Sequence, residues 1–430
     1  MKKYAQHDKH SNSYYQATVN DSTKFDALSE EINCDICIVG GGFTGLTASI
    51  FLAKKSYKVV LLEARRVGSG ASGRNGGQLG SGQRRDQFYL EEHFGNDMAM
   101  QMWRFAEEAR NTALSLIKDY QIQCDLKQGV LYAAPNEQDR GWCLEYAELI
   151  NKKYGYDKRT YLDRNEMSQQ LGTDIYHGGS LDLGCYHLHP LNYAKGLART
   201  ALSEGVKIFE NSPAEKISDT EKFVQTPKGT VKCKYIIIAC NAYLGNLFPK
   251  IRNTFMPINN YMIATEPLSN DVAKGLIAND YAVCDTNFVV NYYRLSSDKR
   301  LLFGGGETYR DKFPSDIKNF VRKYMLKVYP QMKNTSIDYG WGGSIAITLN
   351  RVPDFGKAGK NIFYAQGFSG HGVALTSLAG KLLSEAISGT AERFDVFANL
   401  PKKKFPGGRF LKTPALFFGM LYYSLLDRLR

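Results

Sequence analysis

The stretch Ile36-Cys37-Ile38-Val39-Gly40-Gly41-Gly42-Phe43-Thr44-Gly45-Leu46-Thr47-Ala48-Ser49-Ile50-Phe51-Leu52-Ala53 decides the fold. Its first four residues form a short apolar run expected as a buried strand, and the run from Leu46 reads as a helix. Working outward, Lys58-Val59-Val60-Leu61-Leu62 predicts a second buried strand, closed by Glu63. Strand, glycine loop, helix, strand and acid in this order specify a parallel βαβ unit that binds a dinucleotide. Gly40 permits the tight turn, Gly42 lets the backbone approach a diphosphate, and Gly45 lets the helix pack closely on the strand. Phe43 and Thr44 open the helix, whose unpaired N–H groups and positive dipole end favour phosphate. Glu63 falls where an acid hydrogen-bonds a ribose diol.

The continuation separates two kinds of dinucleotide. A simple nicotinamide dehydrogenase would run from the acid into another helix. Here Ala64 and Arg65 lead into Ser69-Gly70-Ala71-Ser72-Gly73-Arg74-Asn75-Gly76-Gly77-Gln78-Leu79, rich in glycine and small polar residues. Such backbone suits an extended cofactor like FAD, with Asn75 or Gln78 near the edge of the flavin ring. Glycine content alone also fits a flexible surface loop. Long structureless loops inside compact domains tend to be functional, which favours the cofactor.

The 430 residues are too many for one ordinary core, so two domains are expected. Hydrophobic residues at 43% and charged residues at 23% argue against disorder. Of the net charge of +12, half resides in residues 401–430, with seven basic residues against Asp427. The folded body is then only mildly basic, which argues against a nucleic-acid partner. The eight cysteines are scattered, and the Cys34/Cys37 pair lies in a strand whose alternation sends the two to opposite faces. They read as small buried hydrophobes, with no disulfide framework and no metal site. The polar stretch from Met1 to Asn20 does not resemble a signal peptide, and no apolar run reaches membrane-spanning length. A cytoplasmic location is expected. The tail segment Ala415–Leu426 reads as a helix docked on the body, in preference to an amphipathic membrane-surface helix.

Residues 69–79 together with the glycine motif resemble the D-amino-acid-oxidase-like family of FAD oxidoreductases. The likeness continues through Ser13-Tyr14-Tyr15, His187-Leu188-His189-Pro190-Leu191-Asn192, Asn241-Ala242-Tyr243-Leu244-Gly245, Tyr292-Tyr293-Arg294-Leu295 and Gly367-Phe368-Ser369-Gly370-His371-Gly372. It implies an α/β and α+β architecture, with a Rossmann-type FAD-binding domain and an antiparallel-sheet substrate domain. The FAD-binding part is expected over 33–90, 180–245 and 335–400, and the substrate part over 91–179 and 246–334. An extension, 1–32, precedes them, and a basic helical tail, 401–430, follows. The resemblance also implies FAD and oxidation of a carbon bearing an amine; some relatives join the flavin covalently through Cys or His, and with no matching Cys near Trp341 non-covalent FAD is expected. The imine is then hydrolysed, and electrons pass to O2 or another acceptor. Within the family the likeness points to the primary amine of γ-glutamylputrescine, released as an aldehyde plus ammonia. An amino-acid or N-methyl-amino-acid oxidase is the alternative within the family, and a non-catalytic binding protein the alternative outside it.

The remaining motifs add candidates. Val231–Cys240 predicts a buried strand ending at Asn241, which fits a plain core strand as well as a cofactor contact. The resemblance favours the contact, and it adds Ala214 to the cofactor set. Ile362–Ala365 reads as a strand, followed by Gly367, Phe368, Gly370, His371 and Gly372 and a helix over Val373–Ile387, again a helix N-terminus aimed at an acceptor. There His371 is a candidate to hold charge or a hydrogen bond at the reduced ring. A hairpin is expected from Phe288–Leu295 and Arg300–Gly306. Arg294 is the candidate clamp for a substrate carboxylate, although a structural ion pair fits it too. Tyr261, Tyr292 and Trp341 are candidates for an aromatic wall, with core packing as the other reading of Tyr261 and Trp341.

Overall fold

A computed structural model describes residues 13–308 and 312–402. The tail helix expected over Ala415–Leu426 lies outside these. Two sheets organise the chain. The first runs in the order Asp354–Lys357, Ile362–Gln366, Thr230–Ile238, Glu31–Val39, Val59–Leu62 and Lys207–Phe209. Its five-strand parallel centre places Val39 beside Ile238 and Leu62, so the glycine loop leaves from the middle of the sheet. A parallel sheet covered on both faces needs strands apolar throughout; Val59–Leu62 and the second half of Glu31–Val39 are buried at every position. Helix Phe43–Ala53 is apolar nearly all round because it is wedged between this sheet and helices Gly372–Ile387 and Pro190–Ser203.

The second sheet is largely antiparallel and has nine strands. Strand Phe255–Thr265 lies between Ile337–Thr348 and Leu301–Thr308, and Tyr292–Leu295 and Ala282–Asp285 continue the sheet. Lys127–Ala134 and Gly178–His187 come next, ending on the two-residue strand Gln78–Leu79. The expected hairpin is present between Tyr292–Leu295 and Leu301–Thr308. Its first strand begins at Tyr292, because Asn291 and Asn287 turn back to bond the Asp285 carboxylate.

Three stretches depart from the expected domain ranges. Gly178–His187 and Ile337–Thr348 give their hydrogen bonds to the second sheet, not the first. Helix Asn96–Asp119, expected on the substrate side, buries Ala99, Met102 and Ala106 in the same core as helices Phe43–Ala53 and Gly372–Ile387. Near the N-terminus, the segment around Tyr14 and Tyr15 is no loose extension. Tyr15 is fully buried, edge-on to Trp341 at 5.2 Å and to His189 at 4.9 Å.

Candidate active site

A cavity of about 800 Å³ opens along the carboxyl ends of the central parallel strands, where ligands bind in sheets of this kind. Gly40 sits at its floor with φ +118, and a Cβ there would lie 2.6 Å from the Ala239 carbonyl oxygen. A Cβ on Gly45 would lie 2.0 Å from the Gly40 oxygen, so the helix can begin here only without a side chain. Helix Phe43–Ala53 has no side-chain cap at Gly42. Its first amide, on Phe43, reaches the Ser72 hydroxyl at 3.0 Å. Later N–H groups of its first turn are left for a ligand. Glu63 is half-buried, with one carboxylate oxygen taking the Gly41 amide at 2.7 Å and the other the Arg65 amide at 2.9 Å. Burial pushes its carboxyl pKa up while these two amides pull it down.

The far end of the cavity is framed by a second helix N-terminus. Phe368, Gly370, Gly372 and Thr376 line it, and helix Gly372–Ile387 likewise lacks a side-chain cap. The two helices are locked by close approach, since a Cβ on Gly380 would meet the Ala48 amide at 2.6 Å. Ala64, Arg65, Ala71, Ser72, Asn75 and Ala214 line the space between, with Asn241 at the end of the central strand. Asn241 takes a left-handed φ of +46, and its side-chain oxygen accepts the Gly367 amide at 3.0 Å, which ties two strand ends together. An elongated cavity with an uncapped helix start at each end and an acid on one wall fits a dinucleotide.

A sequence profile described as FAD dependent oxidoreductase, DAO, matches residues 35–386. The chain belongs to this family. As a member of the DAO family it is an FAD-dependent oxidoreductase. It is 44% identical to γ-glutamylputrescine oxidoreductase of Escherichia coli (strain K12), over 98% of this chain and 99% of that protein. It is 41% identical to the probable oxidoreductase OrdL of Haemophilus influenzae, over 99% of each. Among solved structures, glycine oxidase from Geobacillus kaustophilus superposes with a TM-score of 0.70 at 20% identity, covering 83% of this chain and 95% of that one, which is a likeness of fold.

Several expected site residues stand elsewhere than the sequence placed them. Arg294 does not face the cavity. Its guanidinium donates to the carbonyls of Gly76 at 3.0 Å, Leu188 at 2.9 Å and Leu295 at 3.2 Å, so it is engaged with backbone and is not among the residues lining the cavity. Trp341 is fully buried, its indole N–H donating to the Arg74 carbonyl at 3.1 Å. Both residues therefore hold the loop of Arg74, Asn75, Gly76 and Gly77 from behind. Arg74 itself turns to the Ser69 and Gly342 carbonyls. Asn75 is spent within its own loop, bonding the Ala71 and Ser72 carbonyls and the Gly77 amide. Gln78 reaches the Val283 carbonyl at 2.8 Å, and Leu79 is core. Tyr261 packs against Phe313 and Phe320 on the other side of the second sheet.

Tyr292 does face the loop, its ring lying where a Cβ on Gly76 would approach within 2.6 Å, while its hydroxyl donates to Asn260. His371 packs against Gly80, whose Cβ would lie 3.0 Å from the imidazole Cε1, and its Nε2 is buried without a partner among the described residues. Burial and the Arg84 charge pull the His371 pKa down to about 4. At neutral pH it is uncharged, so it cannot supply the positive charge expected of it, although Nε2 can still take part in a hydrogen bond.

Sequence reasoning missed Tyr243, Cys240, Ile345 and Ala346, which also line the cavity. Tyr243 stood two residues beyond the expected Asn241 and was findable as an aromatic just past a strand end. Ile345 and Ala346 arrive from the second sheet, and nothing local marks them. Among the described residues Arg84 has no hydrogen-bond or ion-pair partner, and burial lowers its pKa. No helix among the described residues is long and apolar enough to cross a membrane.

Proposed function

We propose that the protein oxidises the primary amine of γ-glutamylputrescine, or of a closely related amine, to an imine that is hydrolysed to an aldehyde and ammonia. The observation that carries this reading is the 44% identity to γ-glutamylputrescine oxidoreductase over nearly the whole of both chains. Bound FAD, held without a covalent link, supplies the acceptor for the two electrons leaving the amine-bearing carbon, and passes them to O2 or another oxidant. Gly40, Gly42 and the first turn of helix Phe43–Ala53 would hold the diphosphate. The Glu63 carboxylate has lone pairs left for ribose hydroxyls. The loop Arg74–Gly77, braced by Arg294 and Trp341, would hold the ring system.

The uncapped start of helix Gly372–Ile387 would offer a positive dipole end to negative charge on the cofactor. Amine oxidation needs the substrate amine uncharged. The Tyr132, Cys284 and Tyr292 side chains stand in one row across three neighbouring strands. This row is a poorly solvating surface that lowers an ammonium pKa. The neutral His371 imidazole offers Nε2 as a hydrogen-bond partner there.

The test is anaerobic mixing of purified flavoprotein with γ-glutamylputrescine while the visible band is followed. Rapid bleaching is expected with this amine, and much slower bleaching with glycine, sarcosine or D-alanine. Bleaching by the amino acids alone would reassign the substrate, and the visible spectrum before mixing checks for bound flavin.

A further inference from the structure

The one-turn helix Tyr14–Ala17 precedes residues 35–386, the part that the family shares. Its two tyrosines are nevertheless among the largest side chains of the core, and they turn to different partners. The Tyr14 hydroxyl donates to Asp298 at 2.6 Å, and its ring lies against Tyr339 at 5.9 Å. Tyr15 sets its ring edge-on to the Trp341 indole at 5.2 Å and to His189 at 4.9 Å. Its hydroxyl accepts from Arg294 Nη2 at 3.4 Å. The segment is fastened in place, because the Thr18 hydroxyl meets His189 Nε2 at 3.1 Å and the Asn20 amide donates to Asn192 at 3.0 Å, at the start of helix Pro190–Ser203.

Trp341 and Arg294 hold the loop beside the cofactor cavity. Trp341 Nε1 donates to the Arg74 carbonyl at 3.1 Å, and Arg294 Nε to the Gly76 carbonyl at 3.0 Å. These two carbonyls flank Asn75, which lines the cavity. The Asn75 amide group in turn bonds the carbonyls of Ala71 and Ser72, residues of the same wall. Gly76 and Gly77 give the loop little stiffness of its own, and Gly77 takes φ +77. Its conformation is therefore set from outside by two buried donors, and Tyr15 touches both. In a close-packed interior such a ring fixes where its neighbours sit, since they have no empty space to move into.

We propose that Tyr15 is a positioning residue for the flavin: through Trp341 and Arg294 it fixes the Arg74–Gly77 loop, and with it the Asn75 wall of the cofactor cavity. The N-terminal segment thereby belongs to the cofactor site, although it is not among the residues lining the cavity. This goes beyond the substrate reading and holds for whichever amine is oxidised.

The experiment compares wild-type holoenzyme with Tyr15→Leu, Tyr15→Phe, Tyr14→Leu and Trp341→Phe, with no amine present. The flavin is read by its visible spectrum, by the dissociation constant of its sulfite adduct and by the rate of FAD release on dilution, and stability by the midpoint in denaturant. Tyr15→Leu is expected to release FAD on the order of 10-fold faster and to shift the sulfite constant by about 3-fold or more. Tyr15→Phe keeps the ring and loses only the long contact to Arg294, so all three flavin readings should stay within about 2-fold of wild type. Tyr14→Leu removes a buried ring that packs on Tyr339 instead of Trp341. It should lower the denaturant midpoint and leave the flavin readings within about 2-fold of wild type. Trp341→Phe removes the N–H given to Arg74 and should reproduce the flavin changes of Tyr15→Leu. Flavin readings that match between Tyr15→Leu and Tyr14→Leu would mean that Tyr15 only fills the core, and would overturn the proposal. Should Tyr15→Leu yield no folded holoenzyme, Trp341→Phe decides, and unchanged flavin readings there overturn it as well. Because no amine enters, the result is independent of the substrate assignment.

Discussion

At Arg294 three guanidinium contacts end on backbone carbonyls, and a fourth, at 3.4 Å, meets the Tyr15 hydroxyl. Arg294→Ala would leave the Gly76 and Leu188 carbonyls unsatisfied and should cost about 3 kcal/mol of stability, seen as a lower midpoint in denaturant titration. It should not alter the ratio of KM values for carboxylate-bearing and plain amines; a selective rise for the former would restore the clamp role. Histidines set a second residue-scale expectation. Burial, with the Arg294 charge adding to it, holds His187 and His189 down at about 3, and His371 lies at about 4. Each is neutral in the fold but takes a proton in the unfolded chain below about pH 6.5. Their contribution is therefore whole above pH 6.5 and is lost as pH falls toward 4. Asp285 acts in the opposite sense. Burial raises its pKa to about 6, so the fold binds its proton first and gains stability over pH 6 to 4. Near pH 5 the balance is about two protons, or about 3 kcal/mol lost per pH unit of acidification. His189→Asn, which keeps a good N-cap for helix Pro190–Ser203, should reduce that slope by about one proton in equilibrium unfolding at several pH values.

At the scale of the element, the loop–helix junction at Gly40–Gly45 is the sensitive point. Gly42 would place a Cβ 2.9 Å from the Ser72 Oγ, and a larger side chain would fill the space the diphosphate needs. Gly42→Leu should give folded but colourless protein, with far-ultraviolet circular dichroism retained and the visible flavin band gone. Normal flavin content would refute the role of this turn. Gly45→Ala is different in kind, because its Cβ would collide with the Gly40 carbonyl at 2.0 Å and push the helix off the sheet. It should lower the melting temperature of the flavin-free protein as well. The two glycines thus separate ligand approach from packing.

For the whole molecule, the cavity is walled by the central sheet, by helix Gly372–Ile387 and by Ile345 and Ala346 of the second sheet. A ligand that fills it binds the assembled fold and not the unfolded chain. Adding FAD to stripped protein at about 100 times its dissociation constant should therefore stabilise by about 2.7 kcal/mol, read as a concentration-dependent rise in melting temperature. A melting curve indifferent to FAD would contradict binding in this cavity.

What the sequence determined by itself is the local part. The order of strand, glycine turn, helix, strand and acid over 36–63 needs only short-range sterics and periodicity, so the βαβ unit and its cofactor class were legible. Gly40, Gly42, Glu63, Ser72 and Asn241 follow because backbone geometry and strand ends leave marks on residue type. The side-chain partners of Arg294, Trp341, Asn75 and Gln78 were not legible. Whether an arginine meets a substrate or three carbonyls depends on Gly76, Leu188 and Leu295 meeting in space, and these lie in three separate segments of the chain.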